Sequence, residues 1–314
     1  MTQKRTHIAP ARKKKLPKYE SFKLTRNIKP DKIKVLPTSK ALWKETWLFI
    51  WKNKKIFVKF LAVYAICYLI LVKGINNFHL DVSSLTTKLK EIGAGNIGSI
   101  FGALAIYATL VSSLTGTTSD ISNFFQVSVL IIFSLAFIWL IRKMHSKRLA
   151  APVKDSFYKG MRPLIPFLGV LVILILELLP AGIGALLLVT VQGASVVSTE
   201  AEITGVAILM ILTLVLSVYL LAGSVFALYI VTLPEATPLL AIRSSMRLLR
   251  IHRWVVLRKI VAFFFMLFVL GFATVLPFIL WLPQYAEVAF FIMGCSSFGV
   301  MHTYMYKLYR SMIS

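Results

Sequence analysis

Acidic side chains are scarce in this sequence, at 12 Asp and Glu against 36 Lys and Arg among 314 residues. Charge of either sign is thin overall, at 15%, while 58% of the residues are apolar. That combination excludes an ordinary soluble domain and indicates a polytopic membrane protein. Cysteine is nearly missing as well. Cys67 and Cys295 both fall in apolar runs, which leaves no disulfide framework and no zinc site to expect. Also lacking are a Gly-rich phosphate loop, a His/carboxylate cluster, a nucleophile motif and any soluble segment large enough to house one. No enzyme activity and no cofactor are therefore expected. The first long apolar run begins only near Ile56, so no cleavable signal peptide is read at the start.

The basic residues are strongly partitioned. All but Lys73, Lys88 and Lys90 lie in the N-terminal segment, two internal loops with their flanks, and the C-terminus. Asp81, Glu91, Asp120, Glu200, Glu202 and Glu287 fall in the lysine-poor loops instead. This is the positive-inside pattern, and it predicts cytoplasmic N- and C-termini in a multi-pass protein of the cell membrane. Residues 1–40 are rich in Lys and Arg and broken by Pro10, Pro17, Pro30 and Pro37, which reads as a disordered basic cytoplasmic tail. Such a tail can attract anionic lipid or nucleic acid. With only Tyr19 and Phe22 available for base stacking, lipid is the favoured partner.

The rest, residues 41–310, reads as an all-α integral membrane domain. Apolar runs predict six spans near 56–72, 124–141, 164–183, 205–231, 260–282 and 288–306, arranged as three parallel hairpins. A short cytoplasmic interfacial helix precedes each hairpin. The first, Ala41–Lys55, gathers Trp43, Trp47, Ile50 and Trp51 on one face, which suits a membrane interface. Lys59, just inside the first span, can snorkel to the cytoplasmic side. The second is Pro152–Arg162. The third follows Pro238 and aligns Arg243, Arg247 and Arg250 as a basic stripe beside Ile242, Met246 and Leu249. Its expected resting place is the cytoplasmic headgroup layer. Ala41-Leu42 weakly matches Ala241-Ile242, and Leu48-Phe49 matches Leu248-Leu249, so what repeats is layout more than sequence. Residues 97–112, with Gly98 and Gly102 at a spacing that permits close helix contact, are placed as an external, interfacial or re-entrant helix. A spanning assignment would put the basic run Arg142–Arg148 outside. The run Leu164–Val191 would be about 42 Å long as a straight helix, more than the ~30 Å hydrocarbon core. Pro180, Gly182 and Gly184 are expected to kink or end its membrane portion.

The segments Ser134-Leu-Ala-Phe-Ile-Trp139, Ser156-Phe-Tyr-Lys-Gly-Met-Arg-Pro-Leu-Ile-Pro-Phe167 and Phe226-Ala-Leu-Tyr-Ile-Val-Thr-Leu-Pro-Glu-Ala-Thr-Pro238 carry a resemblance. The chain resembles uncharacterised six-span membrane proteins of small-genome bacteria. More distantly it is similar to the YciC-like family and to the membrane domain attached to some glycerophosphodiester phosphodiesterases. The resemblance covers most of residues 40–310 and implies architecture and location, not activity. In the phosphodiesterases the chemistry belongs to a separate soluble domain, which has no counterpart in this sequence.

Within the spans, Glu177 is the candidate polar site, because an intramembrane acid is a functional signal by default. Counted from Pro163 it falls in the outer half of its span. It can snorkel, stay protonated, bond a neighbouring helix, or couple proton or ion movement. His302 sits among Tyr304, Tyr306 and Tyr309 and reads as part of an interfacial aromatic belt. Arg243, Arg247, Arg250 and Arg253 are candidate contacts for lipid headgroups, through general attraction to anionic lipid or a grip on phosphate. Two function classes follow. One is a lipid-associated membrane organiser or partner-binding protein, engaging anionic headgroups and a protein partner or a second copy of the chain. The other is a transporter or lipid translocator with a pathway between the hairpins. The second needs further polar residues facing one another across the bundle.

Overall fold

In a computed structural model of the chain, residues 36–74, 120–145, 153–193, 200–233, 236–250, 252–281 and 283–313 are described. The predicted tail, up to residue 35, and the predicted helix 97–112 lie outside them. The described residues are almost all helical, and there are no strands among them. Among the described residues, six helices are long and apolar enough to cross a membrane, as expected of a multi-pass membrane protein, with candidate spans Lys54–Val72, Ile121–His145, Leu164–Val191, Thr204–Ile230, Arg253–Val275 and Val288–Ile313.

The chain enters through α1 (Ser39–Lys52), which starts where Thr38 takes the Ala41 N–H on its side-chain oxygen, an N-cap at 3.3 Å. Asn53 ends α1 by donating its side-chain amide to Phe49 O at 2.9 Å. Its own carbonyl accepts the Ile56 N–H that opens α2 (Lys54–Tyr68). The predicted single helix Ala41–Lys55 is thus broken at Asn53, because that residue serves both helix ends. Leu42 and Thr46 are the buried residues of α1. The four residues expected on one face divide: Trp43 packs on Phe263 at 5.9 Å, Ile50 leans on the core, and Trp47 and Trp51 are exposed. α2 closes in a π-helical turn, Leu69–Lys73, beside which Ser122 donates to Val72 O at 3.0 Å.

α3 (Asp120–His145) follows, then the short α4 (Val153–Gly160). α4 seats on α3 through Gly160, where a Cβ would stand 2.9 Å from the Ala136 Cα. Phe157 of α4 stacks on Phe60 and meets Phe133 edge-on. α5 (Leu164–Gly193) and α6 (Glu200–Ser224) pack along each other. α6 leads into a single turn, α7 (Ala227–Ile230), and then α8 (Pro238–Leu249). α9 (Arg253–Trp281) and α10 (Pro283–Ile313) complete the chain, also packed together.

α3 and α10 form the centre: half of each span is buried, against 17% in α5 and 11% in α6. α10 touches α1, α2, α3 and α9, while α5 and α6 meet the remainder through α7, α8 and α9. The core is aromatic, with Phe60, Phe137, Phe226, Phe263 and Tyr304 almost fully buried. Outward-facing Val, Leu and Ile on α5 and α6 are what a lipid-facing surface requires, since lipid tails are as apolar as leucine.

Three boundaries differ from the sequence reading. α5 does not end near residue 183 but runs through Pro180 to Gly193. The proline removes one backbone hydrogen bond. Next to it the Ala181 N–H donates to Ser217 Oγ of α6 at 3.0 Å. Residues 283–287, predicted as a turn, are the first turn of α10, where Pro283 is tolerated because the N–H it lacks would be unpaired anyway. Finally, α9 starts at Arg253 and not at Ile260. Hydrogen bonding propagates a helix regardless of hydropathy, and Arg253, Arg258 and Lys259 occupy its first turns.

Candidate functional site

The third short helix is built by Thr237 and Pro238. Thr237 Oγ1 accepts the Leu240 N–H at 3.4 Å, and Pro238 fills the first helical position. The apolar stripe is buried as Ala241, Ile242, Ser245 and Leu249, with Met246 packed beside it. That face rests on α5, α6 and α7, so it is protein and not lipid that covers it. Ser245 Oγ donates to Gly223 O of α6 at 2.8 Å. Pro238 abuts Gly169 of α5 so closely that a Cβ there would lie 2.9 Å from Pro238 Cγ. Arg243, Arg247 and Arg250 point away from this seat and are exposed.

Arg253 does not extend the stripe. α8 ends at Leu249, and Arg253 opens the next helix, α9. Its guanidinium carbon sits 4.9 Å from the centre of the Tyr219 ring, a cation–π distance. Its Nη2 passes over Gly223, where a Cβ would come within 3.2 Å. Its Nε is buried without an acceptor. Trp254, 70% exposed, lies beside the same tyrosine at 6.1 Å.

Glu177 reaches this place from α5. Its Oε2 accepts the Ser224 hydroxyl, and Arg253 is within electrostatic reach of the carboxylate without a contact ion pair. The count from Pro163 puts Glu177 in the outer half of its span, and its neighbours lie at the end of the bundle where α6 closes and α9 opens. Glu177 stands beside Ser224, the last residue of α6, and two turns earlier in α5 Gly169 packs against Pro238. The structure thus brings Glu177 and Arg253 together, and leaves Arg243, Arg247 and Arg250 apart on the outer side of α8.

Ser224, Ser217 and Thr213 were not singled out in the sequence. All three face α5: Ser224 meets Glu177, Ser217 meets the Ala181 N–H, and Thr213 lies where a Cβ on Gly184 would collide with its hydroxyl. The available signal was their spacing of four and seven residues, which puts them on one face of a helix.

A second polar node ties the centre together. His302 of α10 is 7% exposed and lies in no lipid-facing belt. Its Nδ1 is 3.2 Å from the Tyr229 hydroxyl and its Nε2 is 3.1 Å from Ser134 Oγ. Tyr229 belongs to α7 and Ser134 to α3, so one imidazole joins three elements. At the neighbouring level Arg142 of α3 donates to Thr232 O and Tyr229 O, each at 2.8 Å, and to Thr232 Oγ1 at 2.6 Å. It thereby caps the carbonyls at the end of α7. Among the described residues no three of His, Cys, Asp and Glu gather as a metal-binding set.

No family model, curated protein or solved structure matches this chain. The chemistry open to the Glu177–Arg253 site therefore follows from its own groups. They are a guanidinium with unused donors, a carboxylate with an oxygen to spare, and two aromatic rings alongside.

Proposed function

We propose that the protein is a lipid-associated organiser of the cell membrane, a non-enzymatic partner-binding component with both termini in the cytoplasm. In this reading α2 with α3, α5 with α6, and α9 with α10 are three parallel hairpins, and α1, α4 and α8 are their cytoplasmic interfacial helices. The chain is then a divergent member of the six-span family that it resembles. The observation that carries the proposal is α8. Its apolar face is seated on protein while Arg243, Arg247 and Arg250 face outward beside exposed Leu239 and Leu240. A helix presenting cations and a few apolar side chains outward fits an anionic headgroup layer. Exposed Trp47, Trp51 and Trp254 supply the aromatic residues typical of the same depth.

Each cation near an anionic surface contributes about 1 kcal/mol, less as salt rises. Replacing all three arginines by Gln should remove about 3 kcal/mol of attraction if the terms add. The readout is the motionally restricted fraction of spin-labelled anionic lipid around the reconstituted protein. It should fall in the triple variant and with added salt, while labelled phosphatidylcholine is unaffected. Equal restriction of both lipids by the unaltered protein would sink the proposal. Sidedness is tested separately in a cysteine-free background. Single cysteines at Ser119 and Ser198 should label from outside intact cells, and ones at Ser146 and Ser244 should not.

The α5–α6 interface gives the alternative, a transporter or lipid translocator, one specific support. Glu177 and Ser224 do face each other there, as a pathway would require.

A further inference from the structure

Arg253 occupies an unusual position for an arginine. It is the first residue of an apolar span, Arg253–Val275, with its Nε buried and no acceptor for it. Buried N–H groups nearly always find a partner, and an exception calls for an explanation such as a ligand. Glu177 is the one acid within the six spans. Its contact is with the Ser224 hydroxyl, and the Arg253 Nη2 lies over Gly223, the residue just before that serine. Two opposite charges thus share a site without neutralising each other by contact.

The geometry points to a zwitterionic phospholipid headgroup with a primary ammonium, its phosphate held by Arg253 and its ammonium by Glu177. A planar guanidinium with free donors matches phosphate oxygens. A carboxylate accepting one hydroxyl retains lone pairs for an ammonium. A simple anion would be repelled by Glu177 and a simple cation by Arg253, so a ligand carrying both charges is the complementary one. A quaternary ammonium has no N–H to give Glu177. Of the two rings at the site, that of Tyr219 is already covered by the guanidinium. Gly223 keeps the space in which Nη2 lies, and exposed Trp254 borders the site on the lipid side. The site deepens the lipid-associated reading and rests on it for one point, a headgroup layer at this end of the bundle.

The test is native mass spectrometry of the delipidated full chain titrated with phosphatidylethanolamine, phosphatidylcholine or phosphatidylglycerol of identical acyl chains. Phosphatidylethanolamine should bind about tenfold tighter than phosphatidylcholine, the value of one charge-assisted hydrogen bond. Glu177→Gln, which keeps the amide shape beside Ser224, should abolish that difference. Arg253→Gln should weaken both zwitterionic lipids about tenfold or more. Comparing headgroups on the unaltered protein keeps the proposal open to refutation even if a variant misfolds. Equal binding of the two zwitterionic lipids, with phosphatidylglycerol preferred, would overturn this site and leave the anionic-rim proposal standing. Retention of no lipid would overturn both. Glycerophosphoethanolamine binding as tightly as the lipid would overturn the assignment to a membrane ligand.

Discussion

Replacing Arg142 by Met should uncouple α7 from α3 while leaving the six spans in place. Arg142 makes three hydrogen bonds to the end of α7, and a bond from a charged donor contributes about 1.5–3 kcal/mol. They do not all count in full. Tyr229 O also accepts the Thr232 hydroxyl at 2.8 Å and keeps that partner in the variant. Thr232 O is the carbonyl left exposed to the loss. The guanidinium is only partly buried, which lowers the figure again. The expected local cost is about 2–3 kcal/mol. Methionine retains the packing of the aliphatic stem, so the change isolates the donors. Amide hydrogen exchange across residues 229–233 in detergent micelles should then quicken roughly 30- to 150-fold. Exchange in the middle of α5 should stay as it was. Arg142→Lys should recover part of the protection, because one ammonium cannot reproduce the forked geometry. A change below about threefold, or complete rescue by Lys, would refute the assignment of Arg142 as the cap of α7.

Other consequences can be measured on the same preparation. His302→Phe should cost about 2–4 kcal/mol by orphaning the Tyr229 and Ser134 hydroxyls. Adding Tyr229→Phe should cost less than the sum of the two single changes, and strict additivity in a double-mutant cycle would remove the node. Gly160→Ala should destabilise the seat of α4 by about 1–3 kcal/mol, because its methyl would meet the Ala136 backbone and not a yielding side chain. It should appear as faster exchange confined to α4. Ser217→Ala should cost about 0.6–1.7 kcal/mol, the range of interhelical hydrogen bonds in membranes. An unchanged midpoint in a chaotrope titration would count against its bond to Ala181.

The six spans were readable because each depends on one variable, the length of an apolar run, and all six fall close to their predicted places. Their ends were not, because ends depend on hydrogen bonding. Pro283 signals a turn in a list of residues but sits comfortably at the start of α10. Arg253 signals solvent but begins α9. The site shows the same division. Glu177 and the arginines stand out as charges in the sequence. That Glu177 and Arg253 come to one place depends on how α5 packs against α6 and α8, as at the Gly169–Pro238 contact, which no single run of residues reveals. Ser224 is an ordinary serine until α6 turns it toward α5. Likewise the hydrophobic face of α8 was visible at helical spacing, but no spacing tells whether lipid or protein covers it.

The Ala181–Ser217 contact bears on how the chain enters a membrane. A helix inserted alone must satisfy its backbone internally, and each unsatisfied group costs several kcal/mol in hydrocarbon. α5 cannot meet that condition in isolation. Pro180 removes one of its backbone hydrogen bonds, and Glu177 sits one turn before the proline. α6, a later stretch of the chain, supplies partners on both sides of the proline, Ser217 for the Ala181 N–H and Ser224 for Glu177. For the insertion machinery α5 and α6 are thus a single cargo. The earlier helix becomes a comfortable resident of the bilayer only when its successor arrives, and a chain stalled between them would leave α5 waiting at the translocon.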